Sequence, residues 1–285
     1  MFNDATNFFV ISHYFSFFLP NFAEKFKQMK KYILDLTVSE VCRINDKYVL
    51  IKLTHAEKLP PMVPGQFVEV RVDGSPTTFL RRPISINFVD YDSNELWLLV
   101  AAIGDGTRRL AELKKGETLN CVLPLGRGFT IPEQRDARLL LVGGGVGVAP
   151  LLYMGKVMRD RGMEPTFLLG ARSASDLLLL DEFRKYGRVL ITTEDGTAGE
   201  RGFVTNHSVL GEERFSLIST CGPKPMMMAV ARYAAKAQIE CEVSLENMMA
   251  CGVGACLCCV EDTTEGNVCV CKEGPVFNIR QLKWN

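Results

Sequence analysis

Between residue 32 and about residue 130, apolar and polar positions alternate with period two in short runs: YILDLTVSEVCRI, YVLIKLT, GQFVEVRV, RRPISINFVDYD, ELWLLVAAI and GETLNCVLPLG. Glycine and proline punctuate them. Side chains on a strand point to opposite faces in turn, so such runs, closely spaced, predict a small antiparallel β-barrel. From about residue 137 the pattern changes to strand, glycines, helix, beginning with ARLLLVGGGVGVAPLLYMGKVMRDRG, where Val142 ends a buried strand. EPTFLLGARS, the acidic helix LLLLDEFRKYG, RVLITTEDG and FSLISTCGPKPMMMAVARYAAKAQ continue the alternation. Strands separated by helices imply βαβ units and a parallel sheet. A cysteine-rich stretch follows as a third, small module. The expected division is 29–132 barrel, 133–240 α/β domain and 241–285 cysteine module, giving a multi-domain α+β chain.

Residues 1–28 differ. FFVISHYFSFFLP is an aromatic run that contains His13 and ends at Pro20, without the basic start and small-residue cleavage site of a signal peptide. It is too short and too polar to span a bilayer, which takes about 20 apolar residues. We read 1–28 as an extension outside the folded unit and expect a cytoplasmic protein with no membrane association.

At 285 residues and 47% apolar composition the chain can bury a core, and two domains with an appendage are expected. Lysine plus arginine balances aspartate plus glutamate at 33 each, so no global field recruits nucleic acid. Partners must be recognised locally.

Each module contains one stretch that suggests chemistry. In the barrel these are RRPIS, Arg81 to Ser85, and GDGTRRL, Gly104 to Leu110. An arginine on a barrel strand can neutralise a diphosphate, and Gly106 with Thr107 at a helix start offers backbone N–H groups and a capping hydroxyl. In the α/β domain, Gly143, Gly144, Gly145 and Gly147 let the chain turn tightly and let phosphates approach the next helix. The spacing is not a strict GxGxxG, because Ala149 and Pro150 stand where it would continue. CGPKPM follows the strand SLIST, at the end where open α/β sheets bind ligands, and would turn Cys221 and Gly222 toward the same crevice.

Six of the ten cysteines lie between Cys251 and Cys271. In a reducing compartment, clustered thiols bind metal more often than they form disulfides. Cys251, Cys256 and Cys259 are spaced C-x4-C-x2-C, with Cys269 and Cys271 downstream. This is the plant-type arrangement for a [2Fe–2S] cluster held by four thiolates. Structural zinc usually takes two tight pairs instead. Gly252 and Gly254 let the loop wrap a compact group, and their N–H groups can bond its sulfurs. Cys258 adjoins Cys259 and points the other way if the backbone is extended. Cys269 and Cys271 would share one strand face, so spacing leaves the fourth ligand open between them.

RRPIS, GDGT, the GGGVGVAPLL turn, TTEDGTAGERG, CGPKPM, ENMMACGVGACLCCV and VCKEGPVF occur in an order that resembles the electron-transfer subunits of the class 1B dihydroorotate dehydrogenases. The likeness runs from about Met29 to Phe277. It implies an FAD-binding barrel, a nicotinamide-binding α/β domain and a C-terminal [2Fe–2S] module of the ferredoxin-reductase kind. It assigns Arg82, Pro83, Ile84 and Ser85 to the flavin and its diphosphate, with Gly106 and Thr107 opposite. Leu99, Val100 and Ala101 would touch the flavin through backbone groups. Many ferredoxin-reductase relatives place a tyrosine where Ile84 stands here. The family's fourth ligand directly precedes GPVF with its two charged neighbours, which favours Cys271.

The implied partner is an FMN-containing catalytic subunit that oxidises dihydroorotate, in a heterotetramer of two plus two. Electrons would pass through the cluster and FAD to NAD⁺ during pyrimidine biosynthesis. The chain itself shows no acid–base constellation. His13, His55 and His207 are isolated, Glu194 and Asp195 suit a loop, and Arg172 would touch the cofactor or pair with Asp176. Two other readings use the same residues: another flavin and iron–sulfur reductase, such as a ferredoxin:NADP⁺ oxidoreductase subunit, and a zinc-stabilised nucleotide-binding module.

Overall fold

The computed structural model describes residues 30–284, and the compact unit discussed here begins at Tyr32. The reading of 1–28 lies outside the described residues.

Each alternating run forms a strand: β1 (Tyr32–Arg43), β2 (Tyr48–Thr54), β3 (Phe67–Val70), β4 (Arg82–Asp90), β5 (Glu95–Ala101) and β6 (Thr118–Leu125). They close into an antiparallel barrel in the order β1-β2-β5-β4-β3-β6. Inward-facing Leu36, Ile51, Val68, Ile86 and Leu98 fill it and are fully buried. The helix α1 (Asp105–Leu110) follows β5 at one end.

The second half alternates as its pattern implies. β7 (Leu139–Gly144), a 3₁₀ turn (Gly145–Val148), α2 (Ala149–Asp160), β8 (Thr166–Ala171), α3 (Leu180–Arg184), β9 (Arg188–Thr193) and β10 (Glu200–Arg201) come first. Then come α4 (Val209–Glu212), β11 (Leu217–Cys221), α5 (Lys224–Ala237) and β12 (Glu240–Ser244). The sheet order is β10-β9-β8-β7-β11-β12-β15, with β15 (Val276–Asn278) from the C-terminal stretch antiparallel on β12. Two local expectations change. Strand β7 runs through Gly144 rather than ending at Val142, because β8 and β11 pair with its glycines from both sides. The acidic run is helical only from Leu180, since Leu179 takes a left-handed φ of 55° that breaks the turn before it.

Helix α2 seats the sheet on the barrel. Asn87 Nδ2 on β4 donates to Ala149 O at 2.9 Å, and the Tyr153 hydroxyl donates to Met62 O at 3.0 Å. The C-terminal stretch adds the hairpin β13 (Val260–Thr263) and β14 (Gly266–Cys269), then the short helix α6 (Val270–Glu273). One apolar cluster joins Phe67 and Leu125 of the barrel, Val243 of the sheet and Val270 and Phe277 of this stretch. Arg127 N donates to Gly274 O at 2.6 Å, tying barrel to tail.

Candidate functional site

The barrel residues expected to hold a diphosphate meet. Arg82 opens β4 half-buried, its Nη1 donating to the carbonyls of Leu80 at 2.9 Å and Arg81 at 3.2 Å. A Cβ on Gly106 would stand 3.0 Å from Arg82 Nε and 3.1 Å from Thr78 Cγ2, so glycine lets α1 come this close. Thr107 Oγ1 accepts from the N–H groups of Ile103 and Gly104, both at 3.1 Å, and tightens the helix start. Arg81 is committed elsewhere, to the carbonyls of Glu69 at 3.2 Å and Asn120 at 3.1 Å. Along β4, Ile84 is buried while Pro83 and Ser85 are half-buried. On β5, Leu99 and Val100 are buried and Ala101 half-buried, paired with Leu50, Val49 and Tyr48 of β2. Beside the arginine, Phe79 is 92% and Leu80 52% exposed. A guanidinium flanked by bare apolar side chains suits a ligand with both an anionic linker and an apolar ring, as FAD has.

A cavity of about 740 Å³ opens at the carboxyl ends of β7, β8 and β9 and beside the start of α5, large enough for a cofactor-sized molecule. It lies where the strand order reverses on either side of β7, the usual ligand crevice of an open α/β sheet. Gly144 and Gly145 line it. Gly147 instead packs on the neighbouring strand end, where a Cβ would fall 2.4 Å from Gly222 Cα, and a Cβ on Gly143 would fall 2.9 Å from Val148 Cγ1. The glycine turn and the Cys221–Gly222 corner therefore touch, as expected, but Gly143, Gly147 and Gly222 serve close packing. Cys221 is buried, its thiol 4.0 Å from Glu246 Oε1. Among the lining residues that escaped the sequence reading are Lys47 and Tyr48, which reach over from the barrel, and Phe203. No periodicity or spacing announces a barrel hairpin at a cofactor cavity.

Arg172 also lines the cavity. It does not pair with Asp176, whose carboxylate lies 3.7 Å from Lys47 Nζ and accepts from Ser173 Oγ at 3.1 Å. His207 is not isolated: it is buried, accepts from Val209 N at 3.1 Å through Nδ1, and lies 3.4 Å from Glu200.

The cysteine loop folds its N–H groups inward. Val253 N and Ala255 N approach Cys251 Sγ at 3.4 and 3.3 Å, and Gly254 N approaches Cys271 Sγ at 3.1 Å. Gly252 and Gly254 take left-handed φ of 66° and 82°, which bend the loop. The thiols associate two by two: Cys251 with Cys256, and Cys259 with Cys271, whose own N–H donates to Cys259 Sγ at 3.4 Å. Burial pushes the Cys251 thiol up, but the N–H groups of Val253, Cys256 and Ala255 outweigh it and hold the pKa at about 6. Burial and the neighbouring Cys259 push Cys271 up to about 12. No three metal-binding side chains converge on one point among the described residues. Four thiols gathered in two neighbouring pairs can hold a binuclear group.

Cys269 and Cys271 do not share a strand face. Cys269 ends β14 half-buried, and the chain then turns helical, which carries Cys271 inward to 1% exposure. Cys258 is exposed. Beneath the loop, Glu69 on β3 is fully buried, and a Cβ on Gly252 would stand 2.6 Å from its Cγ. The loop thus lies directly on a barrel strand.

Comparison with known proteins gives concordant results. Residues 246–283 match the iron-sulfur cluster binding domain of dihydroorotate dehydrogenase B, and residues 141–232 match the oxidoreductase NAD-binding domain. The dihydroorotate dehydrogenase B (NAD(+)) electron transfer subunit of Shouchella clausii is 40% identical over 77% of this chain and 86% of its own length. That of Listeria monocytogenes is 38% identical over 87% of this chain and 98% of its own length. Among solved structures, a chain from the NADH-dependent reduced ferredoxin-NADP oxidoreductase superposes with a TM-score of 0.79 at 28% identity, covering 87% of this chain and 90% of that one.

Proposed function

Because the chain belongs to the family of dihydroorotate dehydrogenase B electron transfer subunits, we propose that it carries electrons from a dihydroorotate-oxidising partner, through a [2Fe–2S] cluster and FAD, to NAD⁺. When bound, the cluster supplies single-electron transfer and FAD the exchange between one and two electrons that nicotinamide requires.

The protein contributes binding and position. Arg82 would hold the flavin diphosphate with the N–H groups at Gly106 and Thr107, while Pro83, Ile84, Ser85 and the backbone of Leu99, Val100 and Ala101 would line the ring. Cys251, Cys256, Cys259 and Cys271 would hold the cluster. The N–H groups of Val253, Gly254 and Ala255 stabilise thiolate charge. Phe67 and Leu125, packed with buried Cys259 and Cys271, keep water from the space between barrel and cluster loop. Gly144, Gly145, Lys47 and Arg172 surround the nicotinamide dinucleotide's diphosphate.

The partner is an FMN-containing catalytic subunit, assembled two plus two with this chain. We assign the complex to the cytoplasm, where thiols stay reduced; no helix among the described residues is long and apolar enough to cross a membrane. The balanced charge gives no global field that would recruit nucleic acid. The domain division proposed is 29–132, 133–240 and 241–285.

The observation that carries this reading is the pairing of four thiols in a loop seated on the barrel's β3. Its test is co-expression with the catalytic subunit under iron-replete, anaerobic conditions. The expected preparation contains two irons and one FAD per chain, shows a rhombic paramagnetic signal after dithionite, and reduces NAD⁺ with dihydroorotate. A colourless protein holding zinc would overturn it. The ferredoxin-linked structural neighbour keeps a second reading in view, in which reduced ferredoxin replaces dihydroorotate as donor. Electron flow from ferredoxin, with none from dihydroorotate, would favour that reading.

A further inference from the structure

The dinucleotide cavity differs in charge along its length. Sheet order sets the sequence of its walls: Glu194 beyond β9, Arg172 beyond β8, Gly144 and Gly145 at β7, and Pro223, Pro225 and Met226 beyond β11. Strands are spaced about 4.8 Å apart, so β9 to β11 spans roughly 15 Å, a stretch suited to an extended dinucleotide. The middle is cationic. Lys47 and Arg172 lie there and outweigh Asp176, 3.7 Å from Lys47 Nζ, and Tyr48 Oη stands 3.8 Å from where a Cβ on Gly145 would be. A diphosphate belongs against this turn. The cysteine loop packs toward the β11, β12 and β15 side, with Cys259 and Cys271 in one cluster with Ile218, Val243 and Phe277, so the nicotinamide belongs at that end and the adenosine at the other.

The adenosine end is anionic and aromatic. Gly202 N donates to Thr193 O at 2.8 Å, which brings Phe203 beside Glu194, and both side chains line the cavity. Phe203 is 63% exposed and offers a bare ring face. Asp195 is used up within the turn, its Oδ1 accepting from Thr197 N at 3.0 Å and Thr197 Oγ1 at 2.7 Å. Glu194 is not: its carboxylate has neither hydrogen bond nor ion pair among the described residues. Arg201 packs over Gly196 instead, with its Cγ 3.2 Å from where a Cβ there would be.

We propose that Glu194 is the residue that selects NAD over NADP. Its carboxylate accepts from the hydroxyls of the adenosine ribose while Phe203 stacks the adenine. A 2′-phosphate would meet this carboxylate in place of a hydroxyl and be repelled. The inference rests on the cavity being the nicotinamide dinucleotide site. Both family matches leave the point open, since they name a domain and not a residue within it.

The test compares 5′-AMP with adenosine 2′,5′-bisphosphate by calorimetric titration of the cofactor-loaded chain, beside NADH and NADPH oxidation with ferricyanide as acceptor. Wild type should bind 5′-AMP at least about tenfold more tightly, the scale of a like-charge contact in a partly desolvated site. Glu194→Ser should erase most of that difference, and Glu194→Arg should reverse it. In turnover the change should appear in KM for NADPH with kcat little altered. Equal binding of the two nucleotides by wild type would overturn the proposal, as would Glu194 variants that keep the wild-type ratio within about twofold. Wild type that binds neither nucleotide and oxidises neither cofactor would instead refute the cavity assignment beneath it.

Discussion

The carboxyl of Glu69 lies on β3 with no exposure to solvent and with neither oxygen hydrogen-bonded. Burial raises its pKa to about 7, against the opposing pull of Arg81. The folded chain therefore holds this proton more tightly than the unfolded chain, whose carboxyl titrates at about 4.5. Stability on this account is unaffected below about pH 4.5, falls as pH rises to about 7, and is lower by about 3 kcal/mol above that. Glu69→Gln should leave the melting temperature unchanged at pH 5 and raise it at pH 8, measured by thermal denaturation of the cofactor-loaded chain. A second prediction concerns the two downstream thiols. Cys271→Ser should abolish the visible absorbance of the cluster and Cys269→Ser retain it, since Cys271 is the buried one that meets Cys259 and the Gly254 N–H. The types and spacing of these cysteines were legible in the sequence. The inward turn of α6 that separates them was not, because a period-two strand pattern continues across Val270.

Gly147 shows what the glycine turn does as an element. It joins β7 to α2 against the end of β11, and a side chain there would drive into the backbone of Gly222, 2.4 Å from its Cα. Backbone cannot rotate away as a flexible side chain can. Gly147→Ala should destabilise by about 1–3 kcal/mol and weaken NADH binding with it, checked by melting temperature and by KM. The strands of the barrel were readable one by one, because apolar and polar residue types alternate along the short runs between turns. The helix after Leu178 was shorter than its composition implies, because buried Leu178 and left-handed Leu179 are set by packing against the sheet.

Across the molecule, the C-terminal stretch is less separate than its composition suggests. Phe277, 4% exposed on β15, packs in one cluster with barrel residues Phe67 and Leu125 and with Cys259 and Cys271. Phe277→Ala removes a ring at the meeting of barrel, sheet and cysteine loop and should cost about 3–5 kcal/mol. Loss of iron and of flavin should then occur together in one thermal transition, followed by absorbance at the two cofactors' wavelengths. Separate transitions for iron and flavin would mean the shared core does not couple them.

The order of local patterns along the chain was enough to determine the barrel strands, the βαβ alternation and the cysteine spacing, because each depends on neighbours within a few residues. Its cofactor set and family were also legible, through motifs whose chemistry is local. Tertiary structure alone decided which side chains converge from afar: Lys47 and Tyr48 at a cavity built mostly by residues 144–229, Glu69 beneath Gly252, and Gly147 against Gly222. Such contacts join residues from 75 to more than 180 positions apart, and their geometry comes from how the barrel, sheet and loop pack, which no local period records.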